Sequence, residues 1–328
     1  MRLIEVLGDC GHVDTVRGIA EQHEIMDCWV AKSDEEDRCS MRLLVRQEKQ
    51  QAVIDAVQQA LTAVQGWRII IYPIEGALPR PEEIIDDKKY SGSRSREELY
   101  HEVEAGARLD SNFILLVIFS TIVAAIGLIE DNVAVVIGAM VIAPLLGPNI
   151  AFAFGAALGD KVLIYQSLKT NFTGILLTLV LSYAMGMIWA DGITSQELLS
   201  RTDVTIPAMV LALVAGAAGV LSMTTGISST LVGVMVAVAL LPPATAVGLT
   251  LAHGNYKLAL GAALLLAVNL VSVNLAAKLV LLFKGVKPRT WLDKQNARQS
   301  MVIYIIVWVI SLAVLAGSMQ VYHSYIQL

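Results

Sequence analysis

A chain of 328 residues that is 55% hydrophobic and 16% charged, with a mean hydropathy of +0.63, is not a soluble globular protein. Its net charge of −5 averages two unlike parts: residues 1–112 hold most of the charge, and from Phe113 onward the chain is almost wholly apolar. No basic segment followed by an apolar stretch and a cleavage site opens the chain, so an N-terminus that is not secreted is expected. Cys10, Cys28 and Cys39 all lie in the polar part, and an odd count without a secretion signal argues against a disulfide framework. Cys10, His12 and Cys28 have no close CxxC pair among them, and the cysteines read as small buried or surface thiols rather than metal ligands.

The polar part begins with a strand over Arg2–Leu7 and a helix over Val13–His23, whose Val13, Val16, Ile19 and Ala20 recur at helical spacing. Met26–Ala31 and Cys39–Arg46 read as strands flanking the acidic turn Ser33–Asp37. Gln50–Val64 is an amphipathic helix with Val53, Ile54, Val57 and Leu61 on one face, and Arg68–Ile74 is a closing strand. The order βαββαβ predicts a ferredoxin-like α+β domain over residues 1–75, with both helices on one face of the sheet. The Gly8-Asp-Cys-Gly11 turn reads as a strand-to-helix connection, with a ligand at the following helix N-terminus as the sharper alternative. Residues 76–112 form a linker and a polar helix. Pro79, Pro81 and the Ser91–Ser95 run cannot build a core, and Glu97–Leu109 reads as a solvated helix leading to the membrane.

Seven apolar spans follow, at 113–130, 133–158, 164–189, 206–224, 229–252, 256–283 and 301–326. A cytoplasmic N-terminus puts Arg94, Arg96, Arg108, Lys161, Lys169, Lys284, Lys287, Arg289, Lys294 and Arg298 inside and only Arg201 and Lys257 outside, which fits the positive-inside rule. After seven crossings the C-terminus is external. Spans one to three (113–190) match spans four to six (206–285) at an offset of 95 positions. Gly138/Gly233, Met140/Met235, Val141/Val236, Leu145/Leu240, Leu146/Leu241, Pro148/Pro243 and Gly159/Gly254 then coincide. Three crossings per copy force the second copy upside down, an inverted repeat of the kind that supports alternating access. Residues 286–328 add a basic loop and an unpaired peripheral helix. The expected fold is therefore a mainly α membrane protein with broken helices two and five, preceded by the α+β domain.

The breaks carry the functional reading. Ile137-Gly-Ala-Met-Val-Ile-Ala-Pro144-Leu-Leu-Gly-Pro148 and Val232-Gly-Val-Met-Val-Ala-Val-Ala-Leu-Leu-Pro242-Pro243 place prolines near the centres of two spans. Each proline removes a backbone donor, freeing the carbonyls of Met140, Pro144, Val238 and Ala239. In hydrocarbon a bare carbonyl costs several kcal/mol, roughly, so it must face protein, water or an ion. Two matched breaks predict a midplane site lined by Pro144, Gly147, Pro148, Asn149, Pro242, Pro243 and Thr245, with Asn269 and Asn274 contributing from span six. The alternative is a pair of kinks whose carbonyls are bonded by neighbouring helices. No Asp or Glu lies in the interior of any span, which disfavours a carboxylate proton relay. The neutral oxygens suit a monovalent cation or a small polar solute, and no cofactor or metal motif is found. Lys278 is the one clear charge inside a span, apart from Lys169 and Lys257 toward the starts of theirs, and is expected to snorkel to the cytoplasmic end. Gly155-Ala-Ala-Leu-Gly159 permits close helix approach within the chain or in a homo-oligomer. No nucleophile elbow, P-loop or zinc motif appears, so neither enzyme chemistry nor nucleic acid binding is expected.

Both proline strings resemble those of the bacterial "uncharacterized hydrophobic domain" family, a domain of unknown function, over roughly residues 90–285. The resemblance implies a multi-pass protein of the bacterial inner membrane with a small N-terminal α+β domain, and supplies no substrate or site. The reading is a secondary transporter of an ion or small polar solute. A gated channel and a sensor or scaffold that moves nothing are the alternatives.

Overall fold

The computed structural model describes residues 1–32, 38–46, 48–74, 95–189, 195–225, 229–284 and 306–318, and the chain divides into two compact units, Met1–Glu98 and Leu99–Leu328. The acidic turn at 33–37 and most of the expected linker and basic loop lie outside the described residues.

In the first unit β1 (Arg2–Asp9), α1 (Val13–Gln22), β2 (Asp27–Lys32), β3 (Arg38–Val45), α2 (Gln50–Ala60) and β4 (Arg68–Pro73) follow in the expected order. The sheet runs β2-β3-β1-β4 with every neighbouring pair antiparallel. Strand alternation decides what is buried. Ile4, Val6, Met41, Leu43 and Val45 meet Val16, Ile19, Val53, Ile54 and Val57 of the two helices in one core. The other face carries Glu5, Ser40, Arg42 and Tyr72. Glu5 accepts from Ser40 Oγ at 2.5 Å, Arg42 Nε at 2.9 Å and Tyr72 Oη at 3.0 Å. These bonds, the Ser40 hydroxyl first, hold its carboxyl below the usual range against the opposing effect of burial.

The absence of disulfides expected from the cysteine count is not what the fold contains. Pairing of β1 with β3 sets Gly8 opposite Cys39 and brings Cys10, just past the strand, to a Cα–Cα distance of 5.0 Å from Cys39, and the two are disulfide-bonded. Cys28 is free. An odd count excludes complete pairing but says nothing about one pair brought together by a ladder.

The second unit is helical. α3 (Arg96–Gly106) leads into α4 (Ser111–Ile129), α5 (Val133–Ile142), α6 (Leu146–Leu158), α7 (Lys161–Ile188), the short α8 (Gln196–Ser200), α9 (Ile206–Thr225), α10 (Ser229–Ala252) and α11 (Tyr256–Phe283), and the apolar helix α12 covers Ile306–Ser318. Side-chain caps start the helices: Asp110 accepts from Phe113 N–H, Asn132 from Val135 N–H, and Asp160 from Val162 and Leu163 N–H. Gly159 and Gly254, 95 positions apart, both take the left-handed backbone that closes a helix, with φ of 75° and 69°.

Among the described residues five helices are long and apolar enough to cross a bilayer, and six spans result if α5 and α6 count as one bent span. Only 13 residues of the seventh expected span are described, as α12. α10 is the central helix, packed against α4, α5, α6, α7, α9 and α11. α7 turns Tyr165, Phe172, Val180 and Met187 outward, as a lipid-facing helix does. α12 is one-sided: Leu312 and Leu315 pack on Val204, Leu265 and Val268, while Val307, Ile310 and Val314 are exposed.

Two expectations are corrected here. α3 is not simply a solvated helix, because Leu99, Val103 and Ala107 are buried against Ile150, Ala151 and Phe154 of α6. The second broken helix is not broken. α5 and α6 meet at 51° around Ala143-Pro144-Leu145, whereas α10 runs through Pro242 and Pro243 as one helix.

Candidate functional site: a broken helix and buried amides

α5 is 10 residues long, about 15 Å at the standard rise, so it reaches only partway through an apolar layer of roughly 30 Å. It ends because Ala143 precedes a proline and is driven out of the helical region, to ψ 124°. The chain restarts at Leu146. Pro148 stands in the first turn of α6, where its missing N–H has no helical acceptor in any case.

Close backbone contact fixes the restart. A Cβ on Gly147 would stand 2.5 Å from the Gly106 carbonyl oxygen and 3.0 Å from Gly106 Cα, so only glycine lets α3 and α6 touch there. Thr170 Oγ1 donates to the Ala107 carbonyl at 2.7 Å and ties the same end of α3 to α7. At the other end of α6, Tyr100 Oη donates to Asp160 Oδ2 at 2.7 Å, a bond that pushes the phenol up to about 12. Gly147 is therefore a packing contact between α3 and α6.

Next to the break three asparagines from three helices meet. Asn274 Nδ2 of α11 donates to Asn149 Oδ1 of α6 at 3.1 Å, and Asn149 Nδ2 donates to Asn171 Oδ1 of α7 at 3.1 Å and to the Leu145 carbonyl at 2.8 Å. Asn274 Nδ2 also reaches the Leu270 carbonyl at 2.9 Å. All three are buried. Asn274 Oδ1 has no hydrogen-bond partner among the described residues. A buried amide oxygen without a donor is costly, which makes it a natural ligand for a cation or a solute N–H.

The prolines of α10 form a second, separate group. Asn269 Nδ2 donates to the Ala239 carbonyl at 2.8 Å, the oxygen that Pro243 leaves without its helical donor. This is the neighbouring-helix rescue of a kink, and it explains why α10 stays continuous. Asn269 Oδ1, like Asn274 Oδ1, lacks a partner among the described residues. Thr245 is fully buried, and its hydroxyl bonds back to the Leu241 carbonyl of its own helix at 2.9 Å. Asn149 and Asn274 are thus in direct contact, and Pro243 and Asn269 meet through Ala239. No hydrogen bond among the described residues joins the two groups. Asn269 and Asn274 are five residues apart on α11, about 7.5 Å along its axis.

Asn171 went unnoticed in the sequence, although a signal for it exists. Ser167, Asn171, Gly174, Thr178 and Ser182 form a small and polar stripe at helical spacing, and all are buried in an otherwise apolar α7. Thr178 Oγ1 accepts from Thr121 Oγ1 at 3.2 Å within that stripe. Lys278 does not snorkel as expected. It is 1% exposed, with Nζ 4.6 Å from the Phe152 ring centroid and 4.8 Å from that of Trp308. α12 supplies the second ring, so the cation is enclosed rather than extended to an interface.

Residues 140–275, which contain the break, the amides and both proline pairs, match the family described as Domain of unknown function (DUF389). An uncharacterized protein of the archaeon Methanocaldococcus jannaschii is 32% identical over 270 residues, covering 82% of this chain and 84% of the relative. The similarity thus extends to archaea, beyond the bacterial setting that the sequence resemblance implied. No solved structure matches.

Proposed function

The chain belongs to the DUF389 family, and we propose that it is a secondary transporter of an ion or small polar solute, bound beside the α5–α6 break. The observation that carries this reading is the buried Asn149–Asn171–Asn274 cluster, with the orphaned Asn274 oxygen, at the restart of a broken helix. Neutral oxygens and the carbonyl end of a half-helix favour a monovalent cation or an amide- or hydroxyl-bearing solute. α4 to α7 and α9 to α11 are two runs of matching length at the 95-residue offset, Lys161–Ile188 against Tyr256–Phe283 among them. This supports an inverted repeat whose two copies have diverged at the proline step. The first unit is proposed to be a ferredoxin-like domain that regulates or assembles the transporter.

The Lys and Arg distribution supports a cytoplasmic N-terminus. The Cys10–Cys39 bond pulls the other way, because disulfides persist mainly in oxidising compartments. Labelling of intact cells with a membrane-impermeant maleimide, before and after reduction, separates the two. Labelling of Cys10 and Cys39 only after the cells are opened supports the internal assignment.

The site is tested with single cysteines at Asn149, Thr245 and Val314, in protein whose native cysteines are replaced. Small water-soluble thiol reagents should reach Asn149→Cys during turnover, and the transported solute should slow that reaction. The lipid-facing Val314→Cys should stay inert. If positions 149 and 314 are equally inert in folded protein that shows no saturable uptake in proteoliposomes, the cluster is a dry structural tie and the transporter reading fails.

A further inference from the structure

One end of the first unit's sheet holds a cleft of about 570 Å³, lined by Arg38, Ser40, Arg42 and Arg68 of the open face and by Lys32 and Trp67, which alternate to the helix-packed side. The strand register assembles it. Ala31 pairs with Ser40, Ser40 with Leu7, and Leu7 with Arg68, so one row of residues crosses all four strands at the same end of the sheet. Arg42, one pleat further along and on the same face, is held at the sheet surface by its 2.9 Å ion pair with Glu5. The carboxylate is in turn engaged by Ser40 and Tyr72. Among the described residues no Asp or Glu lines the cleft.

This concentration runs against the composition of its own domain. Residues 1–75 contain 8 Lys and Arg against 13 Asp and Glu, yet half of those cations line one concavity. An acidic domain repels an extended polyanion such as a nucleic acid strand, while a local basic cleft still attracts a compact one. The volume falls within the roughly 300–1,000 Å³ of small-molecule sites. Arginine forks and a lysine ammonium are donors that phosphate oxygens select, whereas the Ser40 hydroxyl is committed to Glu5.

We propose that this cleft binds a small phosphate-bearing anion, with Lys32, Arg42 and Arg68 as its charged contacts. The ligand is of nucleotide size or smaller and is held by residues of the first unit. Lys32 and Arg68 are exposed side chains at the mouth, so they can be removed without disturbing the core. Arg42 cannot, because its loss strands the Glu5 carboxylate. The acidic residues 34–37 adjoin Lys32 and Arg38 in the chain, so the test uses the whole protein, in which they can compete.

Detergent-solubilised full-length protein is titrated by calorimetry with inorganic pyrophosphate and, separately, with adenosine 5′-monophosphate. Saturable binding of at least one probe is expected. Lys32→Ala/Arg68→Ala should weaken it by about tenfold or more, with the unfolding temperature unchanged, and Arg68→Lys should lose less than Arg68→Ala. Tighter binding of the nucleotide than of pyrophosphate would add stacking on Trp67 to the phosphate contacts. Absence of saturable binding by the unaltered protein to either probe overturns the proposal. So does binding that persists undiminished in Lys32→Ala/Arg68→Ala. Neither result bears on transport through the membrane unit.

Discussion

The α5–α6 pair and α10 coincide at Gly138/Gly233, Met140/Met235, Val141/Val236, Leu145/Leu240, Leu146/Leu241 and Pro148/Pro243, yet end as different backbones. In the first, prolines four apart bracket a glycine: Pro144 removes the donor to Met140, and Pro148 cannot donate to Pro144. Ala143 leaves the helical region, and α3 closes on Gly147 to hold the 51° bend. In the second the prolines are adjacent, the two freed carbonyls lie side by side, and Asn269 supplies a donor to one of them. The number of prolines does not decide whether a membrane helix breaks. Their spacing does, together with whether a neighbouring helix offers a donor.

The largest effect should come from Gly147→Val, since the added side chain meets backbone atoms of Gly106 that cannot yield. A loss of about 4 kcal/mol or more is expected, seen as collapse of the monodisperse peak in size-exclusion chromatography. A well-folded Gly147→Val protein would mean that α3 does not brace the break. Next comes Asn269→Leu, which leaves the Ala239 carbonyl bare in α10 and should cost about 1–3 kcal/mol in thermal unfolding. Adding Pro243→Ala should recover much of that loss, because residue 243 then donates to Ala239 within the helix. A double variant no more stable than Asn269→Leu would refute the substitution of side chain for backbone.

Smaller effects sharpen the other side of the comparison. Pro144→Ala should change stability by about 1 kcal/mol or less. Spin labels at Val133 and Lys161 should report an unchanged separation, since Pro148 and the Gly106–Gly147 contact still disfavour a straight helix. A lengthened separation would make Pro144 alone the cause of the bend. Pro148→Ala should be the mildest, within about 0.5 kcal/mol, because a first-turn N–H in α6 has no helical acceptor to regain.

Much of the fold was legible in the sequence. Alternation in Arg38–Val45 and helical spacing in Val53, Ile54 and Val57 located the elements of the first unit to within a few residues. The long apolar runs marked α4, α7, α9, α10 and α11 in the same way, since nothing but a lipid-facing or buried helix tolerates them. The candidate site was legible only in pieces. Asn149, Asn269 and Asn274 stood out as amides in apolar helices, but their pairing was invisible, and Asn171 was hidden among ordinary hydroxyl and small residues of α7.

Local pattern by itself determined which segments are strands, which are apolar helices, and where prolines deprive the backbone of donors. Tertiary structure decided what became of those deficits. Asn269 reaches Ala239 across 30 positions and keeps α10 whole, while Asn274 reaches Asn149 across 125 and builds the cluster. The same holds for Cys10 against Cys39, joined by a strand ladder, and for Lys278, enclosed by rings from α6 and α12. The physical reason is common to all four. Periodicity records how a residue faces its neighbours in the chain, whereas a freed carbonyl, a thiol or a buried ammonium is answered by whichever group packing brings alongside.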